Sequence, residues 1–441
     1  MKKIFLGLIG FGNIGSGVVK LLQDNQKILE QRLGATLVVK KIADLDITTP
    51  RVVTVEKNVL TQNIEDILSD PEISIVIELM GGYEPARSII LKAMAAKKHI
   101  VTANKALLAT YGNDIFAAAE REGVDIGFEA SVGGTVPVIK TLKEALVANT
   151  IKSIIGIMNG TSNYILTRMT DEGKGFSEVL KEAQRLGFAE ADPKFDIEGI
   201  DTAHKLALSL ALSYGKKVNL DEIYREGISK IDSMDIDFAR ELGYRIKLLA
   251  IAIQRDDISE EMIEARIHPT MIPHDHLIAG VNGNFNAFHI IADAADSIFL
   301  YGQGSGMMPT ASAVLSDIID IGRNILHRSP RRVPPRALYE SEVEDIQLLP
   351  IDHIRTNYYF RFSASDSPGV LSKISGILGE NNISIATCIQ KGRKLDGAVP
   401  IVMTTHVCRE ADVRNALKII NKMDIVQAET VQLRIEDERL K

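Results

Sequence analysis

The sequence predicts an α/β protein in three parts: an N-terminal parallel sheet, an α+β middle section, and a C-terminal ferredoxin-like βαββαβ unit. Three observations predict it. Short β-branched runs alternate with helix-period stretches from residue 3 to about residue 130. The texture then changes to helices mixed with longer strand-like runs. Finally, a Pro/Arg-rich break at 329–336 precedes about eighty residues reading strand, turn, helix, strand, strand, helix, strand.

The first part has strands expected at 3–9, 36–43, 73–79, 99–102 and 124–128, with helices at 14–32, 84–96 and 106–122. A parallel sheet places ligands at the carboxyl ends of its strands. The middle part has helices expected at 138–148, 162–172, 176–186, 200–214 and 238–250, and strands at 151–158, 262–269 and 297–301. Residues 302–325 read as a glycine-rich turn and one long helix, expected to return to the first domain. The expected boundaries are 1–136 plus 302–328, then 137–301, a linker at 329–352 containing the acidic stretch 340–345, and 353–441.

Composition narrows the function. The 441 residues are 45% apolar and 25% charged, as in globular proteins. A net charge of −7 without a basic tract argues against nucleic acid and anionic membrane as partners. Cys388 and Cys408 are the two cysteines, which excludes a disulfide framework and fits a reducing, cytoplasmic setting. The apolar N-terminus runs straight into a glycine motif and reads as a strand rather than a signal peptide.

Gly10-Phe11-Gly12-Asn13-Ile14-Gly15 is a G-x-G-x-x-G between an expected strand and an expected helix, the context of a Rossmann-type dinucleotide site. Gly10 permits the turn, Gly12 lets the backbone approach a pyrophosphate, and Gly15 allows close packing. At the second strand, Asp44 favours NAD, whereas Lys40, with Lys57 folding back beside it, favours the 2′-phosphate of NADP.

Three further segments carry polar residues in apolar or glycine-rich settings. Thr102 and Lys105 stand at the carboxyl end of a strand, facing the expected cofactor cleft. The run from Glu129 to Pro137 offers a carboxylate and glycine-exposed carbonyls, suited to a hard cation. Glu190, Asp196, Asp201 and Lys205 gather carboxylates around one lysine, with Asp201 and Lys205 four apart on one helix face. Such a cluster keeps the lysine protonated, able to donate to a forming alkoxide, and can grip an α-ammonium group. None of the nine histidines forms an H-x-x-x-H pair, and no P-loop occurs.

The segments GFGNIG at 10–15, VIELMGG at 76–82, TANKALLA at 102–109, EASVGGTVPVI at 129–139, GIMNGTSNYIL at 156–166, LGFAEADPKFDIEGIDTAHKL at 186–206 and GQGSGMMPTASAV at 302–314 resemble homoserine dehydrogenases. The resemblance covers nearly all of the chain. It implies interconversion of L-aspartate 4-semialdehyde and L-homoserine with NADP or NAD, on the route to threonine, methionine and isoleucine. It also implies that Gly10, Phe11, Gly12, Asn13, Ile14, Gly15, Thr102 and Gly302 line the cofactor, with Lys105 between nicotinamide and substrate. Glu190 and Asp201 would bind the amino-acid end, and Lys205 would donate the proton with Asp196 in support. A sodium ion is implied at Glu129 with the carbonyls of Val132, Gly134 and Val136. Thr135 and the GQGSG turn depart from the family's usual glycine and GPGAG.

The C-terminal unit resembles an ACT domain through Asp366-Ser367-Pro368-Gly369-Val370-Leu371 and Asn382-Ile383. Asp366, Gly369, Val370, Leu371, Asn382 and Ile383 are its expected effector residues, with threonine the expected inhibitor and a homodimer or homotetramer the expected assembly. The competing class is a non-catalytic Rossmann/ACT metabolite sensor, which would lack the 190–205 cluster and would need a partner-binding element. Aspartate-semialdehyde dehydrogenase chemistry needs a nucleophilic cysteine, and both cysteines lie in the C-terminal unit.

Overall fold

The structure, a computed structural model, describes residues 2–259, 261–339, 343–390 and 398–437. Glu340, Ser341 and Glu342 of the expected acidic stretch lie outside these residues, as do 391–397 and 438–441 of the expected C-terminal unit. The chain divides into two compact units. The first comprises Met1–Gly160, Asp201–Ile223 and Phe285–Ile346; the second comprises Thr161–Ile200, Tyr224–Asn284 and Gln347–Lys441. The middle section read from the sequence is therefore shared between them.

The first unit contains a six-stranded sheet of β1 (Lys2–Ile9), β2 (Ala35–Ala43), β3 (Leu60–Thr61), β4 (Ile73–Glu78), β5 (His99–Thr102) and β6 (Ile126–Gly127). All its pairings are parallel, in the order β3-β2-β1-β4-β5-β6. The order reverses direction between β1 and β4, which opens a crevice at their carboxyl ends. The Met307–His327 helix shares the sheet's core: Ala311, Val314, Leu315, Ile318 and Ile321 pack with Ile4, Leu6, Val18, Leu22 and Ile75. Three antiparallel strands, Ile151–Ile157, Phe285–Ala292 and Asp296–Gln303, also belong to this unit.

In the second unit, Tyr244–Gln254 pairs antiparallel with Met262–Pro273. The C-terminal sheet runs Val426–Ile435, Arg355–Ser365, Ala398–Thr405, Ile385–Gln390, the strand order of a βαββαβ unit. Tyr358, Phe360, Phe362 and Ala364 repeat every second residue and face the Val370–Glu380 and Glu410–Ile420 helices. This sheet is not tethered loosely. Thr270 and Met271 pair with Arg434 and Ile435, and the fully buried Arg266 bonds Glu264 at 2.7 Å and Glu436 at 2.5 Å.

Several expectations are corrected. The helix expected at 238–250 is a helix at Ser233–Glu241, a turn at Gly243 (φ +85°), and the strand Tyr244–Gln254. Its Ile246–Ala252 stretch is buried throughout, so no alternation marks it as a strand. The Phe285–Ala292 strand was not anticipated. The 14–32 helix breaks at Asn25, and the 138–148 helix is a short turn followed by a π-helical segment at Thr141–Ala145. The Pro/Arg segment is irregular but fixed to the first unit. Arg331 N donates to Asp125 at 2.6 Å, Arg332 pairs with Glu144, and the buried Arg336 bonds Asn113 across the Phe116 ring.

Candidate active site

The glycine loop lies where β1 ends. Gly10 has φ +97°, and a Cβ there would lie 2.6 Å from the Leu79 carbonyl. A Cβ on Gly15 would lie 2.1 Å from Gly10 O, so strand and helix approach too closely for any side chain. Around Gly12 nothing lies within 4 Å of such an atom, and no side chain caps the Asn13–Asp24 helix that begins with Asn13 and Ile14. Open space before an uncapped helix N-terminus fits a pyrophosphate. Asp44 anchors the loop, accepting from Phe11 N at 2.5 Å and Asp46 N at 2.8 Å. The Nζ of Lys40 pairs with Asp70 at 2.7 Å and Glu72 at 2.5 Å. Lys57 is exposed in the short Lys57–Val59 turn.

Thr102 ends β5 buried, donating to Glu78 Oε2 at 2.7 Å; the other Glu78 oxygen accepts from Met80 N and Gly81 N. Asn104 caps the Lys105–Glu122 helix by accepting from Leu107 N, which sets Lys105 at the helix start. The Lys105 ammonium lies 3.1 Å from Asp201. Asp201 and Lys205, both buried, project from the Ile200–Tyr214 helix, with Lys205 Nζ 2.7 Å from Asp201 and 2.6 Å from Met158 O. Asn159 donates to the same aspartate oxygen at 2.9 Å. Burial alone would raise the Asp201 carboxyl. The Lys205 and Lys105 charges, aided by those hydrogen bonds, instead hold it well below the usual carboxylate range.

Glu190 and Asp196 belong to the second unit. Glu190 is exposed in the loop after the Phe176–Arg185 helix, where its carbonyl accepts from Gln184. Asp196 lies in the short Lys194–Ile197 helix, its carbonyl accepting from Ser162 Oγ at 2.9 Å.

At the expected cation site the Glu129 carboxylate accepts from two backbone amides. Its two oxygens accept from Ile139 N and Lys140 N, each at 2.9 Å. Burial and the neighbouring Asp317 push it up to about 7. Among the described residues no three His, Cys, Asp or Glu side chains gather as a metal site. The carbonyls of Val132, Gly134 and Val136 sit in a turn where Gly133 and Gly134 have φ +77° and +61°. Gly302 closes on the same turn: a Cβ there would meet Val136 at 3.1 Å and Thr135 Oγ1 at 3.2 Å. These carbonyls suit a hard cation; the Glu129 carboxylate is already engaged as a cap.

In the C-terminal unit, Asp366 and Gly369 are exposed, Gly369 (φ +86°) has nothing near its missing Cβ, and no side chain caps the helix starting at Val370. Leu371 is 41% exposed, Asn382 has φ +59°, and Ile383 is buried in the domain core. Glu78, Met158, Asn159 and Asn286 also bond the residues of this site or their partners, with no role expected for them individually from the sequence. Of these only Glu78 carries a signal: an acid ending a run of buried strand residues.

Three family models match the chain: homoserine dehydrogenase at residues 137–319, homoserine dehydrogenase NAD binding domain at 10–129, and ACT domain at 358–424. A homoserine dehydrogenase of Neisseria gonorrhoeae is 43% identical over 99% of both chains. One of Bacillus subtilis is 39% identical over 99% of both. The crystal structure of a homoserine dehydrogenase from Thiobacillus denitrificans superposes with a TM-score of 0.92 at 44% identity, covering 100% of this chain and 99% of that one. A hyperthermophilic archaeal homoserine dehydrogenase in complex with NADPH covers 72% of this chain and 97% of its own, at 26% identity and a TM-score of 0.61. No described helix is long and apolar enough to cross a membrane.

Proposed function

Because the chain belongs to the homoserine dehydrogenase family, we propose that its Lys105–Asp201–Lys205 cluster interconverts L-aspartate 4-semialdehyde and L-homoserine. The observation that carries this reading is one buried carboxylate bonded to two lysines at 2.7 and 3.1 Å, in the same compact unit as the glycine loop. The nicotinamide coenzyme, when bound, supplies or accepts the hydride at the C4 carbon. Lys205 donates a proton from Nζ to the aldehyde oxygen as C4 becomes CH₂OH, and takes it back in the oxidative direction. An ionised Asp201 at 2.7 Å stabilises the ammonium form of that lysine, and Met158 O fixes its direction. Asp201 and Glu190 bind the amino-acid end of the substrate, and Asp196 supports proton donation by Lys205.

The finer assignments are also proposals. The coenzyme is NADP, read by Lys57; the NADPH-bound archaeal relative supports this choice. A sodium ion braces the turn through the carbonyls of Val132, Gly134 and Val136, and no step of the reaction passes through it. Threonine binds at Asp366, Gly369, Val370 and Leu371, with Asn382 and Ile383, and inhibits. The protein works as a homodimer or homotetramer in the cytoplasm, in threonine, methionine and isoleucine biosynthesis.

Initial rates with L-homoserine, run in parallel with NADP and NAD, with and without L-threonine, test this. Turnover with a preference for NADP and a loss of rate with threonine is expected. No turnover with either coenzyme removes the enzymatic reading; turnover indifferent to threonine removes only the regulatory one.

A further inference from the structure

We infer that Asn286 is a positioning residue of the reaction, holding the Met158 carbonyl that aims Lys205 and carrying the state of the Gly302–Gly306 turn to it. Asn286 is fully buried on the Phe285–Ala292 strand. Its Nδ2 donates to Met158 O at 3.3 Å, the same oxygen that accepts from Lys205 Nζ at 2.6 Å. One carbonyl thus takes two donors, and the amide limits how far it can swing. On its other side the amide lies flat against Gly304. A Cβ at that glycine would fall 2.2 Å from Asn286 Cγ and 2.3 Å from both terminal atoms. Gly304 is therefore glycine for the sake of this contact. Asn286 Oδ1 is buried and has no partner among the described residues. A buried amide left half-satisfied is seldom tolerated for packing alone. Here its donor half is spent on the carbonyl that orients the lysine.

The chain Gly304, Asn286, Met158 O, Lys205 Nζ lies wholly within the first unit. A shift of the glycine turn moves the amide, and the amide moves the carbonyl. The effect falls on proton transfer rather than on affinity, because the bond that Asn286 makes is to the lysine's own acceptor. Misplacement of a reacting group by about an ångström costs roughly 10²-fold in rate.

The inference rests on Lys205 being the proton donor, so the experiment includes Lys205→Ala. Asn286→Ala and the size-preserving Asn286→Asp are compared with the unaltered protein by kcat, both KM values, thermal melting, and the primary deuterium isotope effect on homoserine oxidation. For both variants kcat should fall by about 10- to 100-fold with KM values within roughly threefold, and the isotope effect on kcat should rise as chemistry becomes limiting. Gly304→Ala should lose kcat in the unaltered background but cost little more in Asn286→Ala, because the group its methyl would strike is gone. If Lys205→Ala is inactive while Asn286→Asp turns over normally, the positioning role is wrong and the donor assignment stands. If Lys205→Ala is itself active, the donor assignment is wrong. Additive losses for Gly304 and Asn286, or KM values rising in step with the fall in kcat, would also overturn the inference.

Discussion

Lys205 and Lys247 are both buried lysines that donate to a backbone carbonyl, and they differ in one respect. Lys205 bonds Met158 O at 2.6 Å and has the carboxylate of Asp201 at 2.7 Å. Lys247, on the Tyr244–Gln254 strand of the second unit, bonds Val281 O at 2.5 Å and Asn163 Oδ1 at 3.0 Å, all neutral oxygens. Burial, with the Arg245 charge adding to it and Asp171 opposing, pushes Lys247 down to about 7. A carboxylate within bonding distance is what separates the proposed proton donor from a lysine that pins a loop. Lys247 fastens the 281–283 segment to the Gly160–Glu172 helix, where Asn163 also donates to Val281 O and Gly283 O.

The largest effect expected from breaking this contrast is at Lys205. Lys205→Ala should lower kcat by roughly 10²–10⁴-fold while leaving the melting temperature close to normal, since Asp201 keeps Lys105 and Asn159 as partners. Asp201→Asn should cost a comparable factor, because it removes both the proposed substrate ligand and the charge beside the lysine. Near-normal turnover in Lys205→Ala would hand proton donation to Lys105 or to water.

Lys247 should instead be visible in stability. Its folded pKa lies below its unfolded value of about 10.4, so between about pH 7 and 10 the unfolded chain binds a proton that the native protein does not. The penalty for burying its charge is complete below pH 7 and is relieved as pH rises. The stability of the unaltered protein relative to Lys247→Met should therefore increase with pH across that window, by up to about 1.4 kcal/mol per unit. Chemical denaturation of both proteins at several pH values measures it. A difference that does not change with pH would mean that Lys247 keeps its proton in the fold, and the contrast with Lys205 would lapse.

The same contrast marks what the sequence could and could not reveal. Asp201 and Lys205 were legible together because helical spacing puts residues four apart on one face. The glycine fingerprint and the βαββαβ unit were legible because they are local patterns. The partners that define the lysines were not: Met158 is 47 residues from Lys205, and Val281 is 34 from Lys247. Nor was the strand carrying Lys247, whose apolar run from Leu248 to Ile253 reads equally as helix. Nor were the partners of Lys40 legible, since Glu72 lies 32 residues further along the chain.

The smallest expected effects concern Lys40 and Lys57. A lysine already held by Asp70 and Glu72 has little charge to offer a 2′-phosphate, so Lys40→Ala should leave KM for NADP and for NAD unchanged. Lys57 stands exposed, where a single charge contact is worth at most about 1 kcal/mol. Lys57→Ala should therefore raise KM for NADP by about two- to fivefold and leave that for NAD alone. Asp44 supplies the control, because its carboxylate holds Phe11 N and with it the glycine loop. Asp44→Ala should weaken both coenzymes together, as loss of the loop's shape does not depend on the 2′ position. Parallel KM measurements on the three variants separate the roles. An equal rise for both coenzymes in Lys57→Ala would show that this lysine does not read the phosphate, and the preference for NADP would have to come from elsewhere on the β2–β3 edge.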